Sequence, residues 1–407
     1  MDYQSRLANE ESFYRESLVV HNLPDIYHYW SEKYLRPKLR AAGFDNMTGL
    51  FADPLGAACV SAEARQARFL SIGAGNCDVE IDLALALRAA GHANFVIDCL
   101  DLNPAMLQRG AEAASERGVA DNIAPLQADF NGWKPVHQYD AVVANQALHH
   151  VLNLEGLFDQ VKASLHPNGV FVISDMIGRN GHLRWPEALA IIHEYWKTLP
   201  HSHRFNWQLK RYEAMFEDWD CSNDGFEGIR AQDILPLLLD RFHFDKFVGF
   251  GNLIDPFVDR SFGHNFDSNN EWDRAFIDEV HARDEAGFAS GELTPTHMFA
   301  VLDLKNVSNE PAIERSVRRG AAVDAPSEKA GLPEDRLLRV LHELEAERRY
   351  WFDAAQAKSV EVQTLLDDLE KRTNWAWGLE KELNERTRWA MGLDKRIAEL
   401  TKKRWWK

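Results

Sequence analysis

One segment constrains the fold of this chain more than any other: Phe69-Leu70-Ser71-Ile72-Gly73-Ala74-Gly75-Asn76-Cys77-Asp78, followed after a second apolar run by Leu100-Asp101-Leu102-Asn103-Pro104. The order reads strand, glycine turn, helix, strand, acid. In a parallel sheet such a turn brings backbone N–H groups close to a ligand at the strand ends, and an acid closing the second strand accepts hydrogen bonds from both hydroxyls of a ribose. A nucleoside-containing cofactor is the first inference. A dinucleotide site wants a third glycine to pack its helix under a pyrophosphate, and the carboxylate of Asp78 at that position would repel one. By itself, Gly-x-Gly also describes an ordinary tight turn between strand and helix.

The turn is followed by further elements in a consistent order. After a third apolar run, Ala128-Asp129-Phe130 offers a carboxylate acceptor for an exocyclic amine beside an aromatic face. A fourth run, residues 139–145, ends at Asn145 and leads into Leu148-His149-His150; a fifth, residues 165–175, ends in Ser174-Asp175. With these residues in place, the stretch from about 68 to 175 resembles the core of the class I S-adenosylmethionine-dependent methyltransferases. The resemblance implies an α/β fold with a doubly wound, seven-stranded, mostly parallel sheet. It implies S-adenosyl-L-methionine as cofactor, bound by Ser71, Gly73, Ala74, Gly75, Asp101, Leu102, Asp129, Phe130 and Asn145. Two positions depart from the family pattern: Ser71 stands where an acid usually opens the glycine motif, and Cys77 where a third glycine is common. Both bear on the methionine end of the cofactor rather than on the fold.

At 407 residues the chain is too long for one ordinary core. A helical N-terminal cap is expected over residues 1–55, where Asp25-Ile26-Tyr27-His28-Tyr29-Trp30 opens a dense aromatic face, either as a lid over the crevice or as plain core packing. The methyltransferase domain is expected over 56–305. Runs at 244–250 and 297–302 would complete its sheet with an antiparallel edge. Helical insertions at about 178–241 and 253–296 would carry acceptor recognition, because long insertions in compact domains are commonly functional.

The net charge of −17 opposes broad nucleic-acid binding, which needs a basic surface to neutralise phosphates. Cys59, Cys77, Cys99 and Cys221 form neither a metal ladder nor a disulfide framework, which fits a reducing, cytoplasmic compartment. Met1-Asp2-Tyr3-Gln4 opens no signal peptide, and no apolar run approaches the roughly 20 residues of a membrane helix. His201-Ser202-His203 suggests a metal, but no second ligand pair with zinc-like spacing accompanies it, and no metal site is expected.

Residues 306–331 read as a linker by their Ser, Pro, Ala, Gly and charge content. Over 332–407 a seven-residue seam runs through Leu337, Leu341, Leu344, Trp351, Leu365, Leu379, Leu383, Leu393 and Leu400, which predicts a coiled coil and a homo-oligomer, with Arg348, Lys358, Arg372 and Arg386 as polar seam positions. The unit starting at Arg372-Thr373-Asn374-Trp375-Ala376 recurs fourteen residues later at Arg386-Thr387-Arg388-Trp389-Ala390. Such units resemble the helical tails of bacterial methyltransferases associated with surface-polysaccharide synthesis; the plain alternative is a long amphipathic helix without a particular partner. The end, Lys402-Lys403-Arg404-Trp405-Trp406-Lys407, interleaves cations with indoles, as a peripheral contact with an anionic membrane face would require, or as a solvated terminus would also show.

A sulfonium methyl is already electrophilic, so the protein chiefly has to exclude water and align an acceptor. A hydroxyl acceptor profits from a base, and His149, His150 and His182, just past strand ends, are the candidates, each with a structural role as the alternative. The reading is O-methylation of a sugar or surface-glycan acceptor. The alternatives are a small-metabolite methyltransferase with an oligomerising tail and a non-catalytic coiled-coil assembly protein that keeps the fold.

Overall fold

The computed structural model describes residues 23–304, except 45–46, 63–64 and 224, together with Tyr3, Arg6, Gly392 and Arg396. The chain divides into two units, Met1–Asp324 and Ala325–Lys407. The expected linker, coiled coil and basic end fall outside the described residues, apart from Gly392 and Arg396, which are helical. No helix among the described residues is long and apolar enough to cross a membrane.

The strands are β1 (Ala67–Ile72), β2 (Phe95–Asp101), β3 (Ile123–Gln127), β4 (Tyr139–Asn145), β5 (Leu165–Met176), a short ribbon of β6 (Phe205–Asn206) and β7 (Arg211–Tyr212), β8 (His243–Phe250) and β9 (His297–Asp303). Seven of them form one sheet in the order β3-β2-β1-β4-β5-β9-β8. β1 to β5 are parallel; β9 pairs antiparallel with both β5 and β8. The antiparallel strand is therefore the penultimate one, and the edge strand β8 again runs with the parallel set.

Both faces of the sheet are covered, which is why its strands read as nearly unbroken apolar runs. Side chains alternate along each strand. Phe69, Phe95, Ile97, Cys99, Ala141 and Val143 join a core under Met47–Ser61, Asp78–Ala89 and Pro104–Glu116 on one face. Leu70, Ile72, Leu100, Val142, Ala144 and Ile173 join a second core under Leu154–Ser164 and Ala231–Leu239 on the other. The latter helix lies inside the expected insertion 178–241, yet its Ile234 and Leu238 are wholly buried in the sheet's own core. The rest of that insertion and residues 253–296 share one aromatic layer, in which the Trp196 ring meets Phe262 edge-on at 4.8 Å and Phe216 at 5.6 Å.

The N-terminal aromatic face also packs on an insertion. The hydroxyls of Tyr29 and Tyr34 and the ammonium of Lys33 donate to the Asp278 carboxylate at 2.9, 2.7 and 2.7 Å, and Trp30 donates to His281 Nδ1 at 3.3 Å. These rings are core packing against the helix Glu271–Ser290. Among the described N-terminal residues Tyr3 reaches the crevice, as described below.

Candidate active site

The crevice opens at the carboxyl ends of β1, β2 and β4, where the sheet order reverses. At the first of these, Gly73 (φ +72°) and Gly75 (φ +53°) turn the chain in the left-handed region that suits glycine. A Cβ on Gly73 would lie 2.5 Å from the Ala147 methyl, so the turn admits no side chain there. The N–H groups of Gly73 and Ala74 donate to Leu100 O at 2.8 and 3.1 Å, tying the turn to β2.

Asp101 ends β2 and is nearly buried. Its Oδ2 accepts from Gly75 N and its Oδ1 from Asn103 N, both at 2.8 Å. These bonds orient the carboxylate along the crevice. Asn103 then caps the next helix, its Oδ1 accepting from Ala105 N at 3.0 Å, with Pro104 preorganised as the first helical residue. Leu102, partly exposed, lies between the acid and this cap.

Past β3, Asp129 Oδ1 accepts from the backbone and side-chain nitrogens of Asn131 at 2.9 and 3.1 Å, while Oδ2 accepts from the Tyr3 hydroxyl. Burial first, then the neighbouring Asp129, pushes the Tyr3 phenol up to about 12. The Phe130 ring reaches to 3.9 Å from where a Gly73 Cβ would be, so it borders the glycine turn. A cavity of about 300 Å³ opens beside Asp129, walled by Leu126, Ala128 and Trp133. Asn145 closes β4 opposite Ser174 of β5 and is half-buried.

The two departures from the family pattern have local explanations. By strand alternation Ser71 faces the helix Asp78–Ala89, and its hydroxyl donates to Glu80 Oε1 at 2.5 Å. A carboxylate therefore does lie under the glycine turn, supplied by the helix instead of the strand. Glu80 is buried, its Oε2 has no hydrogen-bond partner among the described residues, and burial raises its pKa to about 7. Cys77 keeps a glycine-like φ of +58° despite its side chain. Room for that side chain comes from Gly110 on the adjacent helix, where a Cβ would come within 2.7 Å of Cys77 Sγ and 2.8 Å of Asn76 O.

At the other end of the crevice, the three candidate histidines converge on one residue that sequence reasoning did not single out, Glu227. Its Oε1 lies 2.7 Å from His182 Nε2 and 3.5 Å from His149 Nε2; its Oε2 lies 3.4 Å from His150 Nε2. Behind His149 is Asp175, fully buried, whose Oδ1 meets His149 Nδ1 at 2.6 Å and Met176 N at 2.8 Å. Its Oδ2 accepts from Ala147 N and Leu148 N at 2.9 and 2.7 Å. Burial would lower the His149 pKa, but the Asp175 and Glu227 carboxylates outweigh it and raise it to about 10. Burial lowers that of His182. Burial opposes charge on Glu227 too, yet its hydrogen bonds to His149 and His182 hold it far below the usual carboxylate range.

The loops carrying these groups are tied backbone to backbone: Gly181 N donates to Gly228 O at 2.8 Å and Ile229 N to His149 O at 3.0 Å. His182 itself sits at φ +55°, a conformation that costs a non-glycine residue about 1–3 kcal/mol. Strain of this size persists only where surrounding contacts hold it, and here Glu227 does so. By contrast, His203 Nε2 donates to Asp273 Oδ1 at 2.9 Å and His201 stacks on Tyr212 at 4.4 Å, so the His201-Ser202-His203 stretch serves local packing.

Residues 70–171, from β1 into β5, match the family described as a methyltransferase domain. A sterol 24-C-methyltransferase of Gibberella zeae is 29% identical over 79 residues, 19% of this chain and 21% of that protein, so the chain spans about a fifth of the length of this curated relative. Similar solved structures include a geranyl diphosphate C-methyltransferase from Streptomyces coelicolor A3(2), 12% identical, covering 75% of this chain and 100% of that one at a TM-score of 0.38. Another is an O-methyltransferase from a trans-AT PKS multienzyme of Brevibacillus brevis, 13% identical over 75% of this chain and 86% of that one at a TM-score of 0.36.

Proposed function

We propose that the chain is an S-adenosyl-L-methionine-dependent methyltransferase that acts on an oxygen of a sugar, with a surface glycan as the preferred acceptor. The observation that carries the cofactor assignment is Asp101, closing β2 with its carboxylate fixed by the N–H groups of Gly75 and Asn103, inside a matched methyltransferase domain. The residues fit the group: Gly73 leaves the turn bare of side chains, Asp101 faces the ribose position, and Asp129 with Phe130 borders the adenine position. Bound there, S-adenosylmethionine supplies an electrophilic methyl group.

The chain's own residues then have two tasks. The turn and Phe130 hold the donor and exclude water; the His149, His150, His182 and Glu227 cluster receives the acceptor hydroxyl, and His182, which burial keeps neutral, takes up its proton. Exposed aromatic faces at Trp207, Tyr212, Trp219 and Trp272 on the insertions suit the apolar faces of sugar rings. The tail beyond residue 331 is proposed to assemble copies of the chain, and its basic, Trp-rich end to meet an anionic membrane surface on the cytoplasmic side. Light scattering that finds the full chain monomeric at micromolar concentration would refute the assembly.

Calorimetry with the purified chain tests the central claim. S-adenosylmethionine should bind and NADH should not; the reverse overturns the cofactor. Release of S-adenosylhomocysteine with hydroxyl-bearing saccharides, and none with amine acceptors, tests the oxygen assignment.

A further inference from the structure

Among the described residues, His149, His182 and Glu227 each offer a ligand atom, and these atoms lie within 4.8 Å of one another. We propose that they bind a first-row divalent transition metal of the zinc class. The binding claim rests on this geometry alone; its use in methyl transfer rests on the reading above.

Four features of the cluster point this way. Glu227 Oε1 lies 2.7 Å from His182 Nε2 and 3.5 Å from His149 Nε2, either side of the roughly 3.3–3.4 Å edge of a tetrahedron with metal–ligand bonds of about 2.0–2.1 Å, and the whole set spans no more than 4.8 Å. Asp175 is an acceptor on both oxygens, to three backbone N–H groups and to His149 Nδ1. That bond keeps a proton on His149 Nδ1 when Nε2 gives up its own to an incoming ion, and it points Nε2 towards Glu227, the arrangement in which a buried carboxylate orients a metal-binding imidazole. The left-handed backbone of His182 and the paired loops at Gly181 and Gly228 fix the ligands before any ion arrives. Glu227 is 41% exposed on its side chain, which leaves an approach for an acceptor oxygen.

Imidazole nitrogen with one carboxylate selects zinc, iron, cobalt or nickel over magnesium and calcium, which prefer all-oxygen sites. At such an ion an acceptor hydroxyl would be both located and acidified.

The test uses the untagged full chain, stripped with chelator and titrated with Co²⁺ and then Zn²⁺. One equivalent of Co²⁺ should bind with a visible spectrum of nitrogen and oxygen coordination and be displaced by Zn²⁺. His182→Ala and Glu227→Ala should each weaken binding at least 100-fold, and Asp175→Asn about 10–100-fold, while His201→Ala leaves it unchanged. S-adenosylmethionine binding in each variant reports that the fold is intact. No stoichiometric uptake by the wild-type chain, or equal uptake by a folded His182→Ala chain, overturns the proposal. Metal uptake without any S-adenosylmethionine binding would leave the metal site standing and overturn the methyltransferase reading instead.

Discussion

The cofactor end of the crevice takes Gly73, Gly75, Asp101 and Asp129 from the ends of three successive strands, and most of its fixed bonds involve backbone N–H groups. The other end, proposed to receive the acceptor, gathers His149, Asp175, His182 and Glu227 from two strand ends and two insertion loops; backbone N–H groups fix Asp175 and pair the loops, and titratable side chains then meet one another. The first follows from residues at the carboxyl ends of adjacent parallel strands, each placed by its own strand. The second depends on how particular loops are laced together, so it is where one such protein differs from another. Binding the donor and activating the acceptor should accordingly be separable by mutation.

The largest expected effect tests that separation. His149→Gln and His182→Gln should each lower turnover by roughly 10²–10⁴ while S-adenosylmethionine affinity stays within a few-fold of wild type. Activity is read as S-adenosylhomocysteine release and affinity by calorimetry. Equal losses in both measurements would mean that the two ends form one cooperative unit.

Glu80 gives the next largest effect, on stability, from beneath the glycine turn. Its pKa rises from 4.5 to about 7 on folding, first through burial. The folded state therefore holds this proton more tightly than the unfolded state. The associated stability is fully present below pH 4.5 and is lost as pH rises to about 7, amounting to ~3 kcal/mol. Asp284, raised by burial to about 7, slopes in the same sense. Glu80→Gln should remove about half of the decline, and the variant should exceed wild-type stability above pH 7. Urea denaturation at several pH values reads this out; an unchanged slope would show that the Glu80 proton is not what titrates.

Asp101→Ala follows, with an expected loss of about 1.5–3 kcal/mol in S-adenosylmethionine binding, since a charged acceptor to hydroxyls is removed. Turnover at saturating donor should fall much less. Unchanged affinity in a folded variant would take Asp101 out of the ribose role.

How much of this was legible in the sequence follows the same division. β1 through β5, the glycine turn, Asp101 and the Asp129-Phe130 pair could be read because each is a local pattern: an apolar run of strand length ending in a turn residue or an acid. β8 and β9 were found for the same reason. Glu227 was not, because Phe226-Glu227-Gly228 carries no local pattern, and only the return of a loop from the far side of the insertion brings it to His149. Asp175 was visible as an acid ending an apolar run, like Asp101, and His149 as a histidine past another strand end, but their pairing was not, because it depends on how β4 and β5 lie side by side. The aromatic stripe at Tyr29, Trp30 and Tyr34 was legible as a helical face, whereas its partners Asp278 and His281 lie far away along the chain. The exchange of an acid at position 71 for Glu80, and of a glycine at 77 for Gly110, was hidden because each compensation sits on another element.

Tyr3 offers the smallest effect and the sharpest probe of the cofactor end. Its hydroxyl donates to Asp129 Oδ2, and Asn131 Nδ2 donates to the same hydroxyl at 3.0 Å. The Tyr3 ring also meets Phe226, next to Glu227, at 5.4 Å. Oδ1 of Asp129 is engaged by Asn131, so an adenine amine arriving at Asp129 competes with the Tyr3 hydroxyl for Oδ2. Tyr3→Phe removes that competitor and keeps the ring against Phe226. The net value of one such bond is about 0.5–1.5 kcal/mol, so S-adenosylmethionine should bind about 2–10-fold more tightly, with turnover at saturating donor unchanged. Weaker binding would make Tyr3 part of the adenine site itself. A change in turnover alone would show that the residue acts through Phe226 on the acceptor end, and the two ends would then be coupled through the N-terminus.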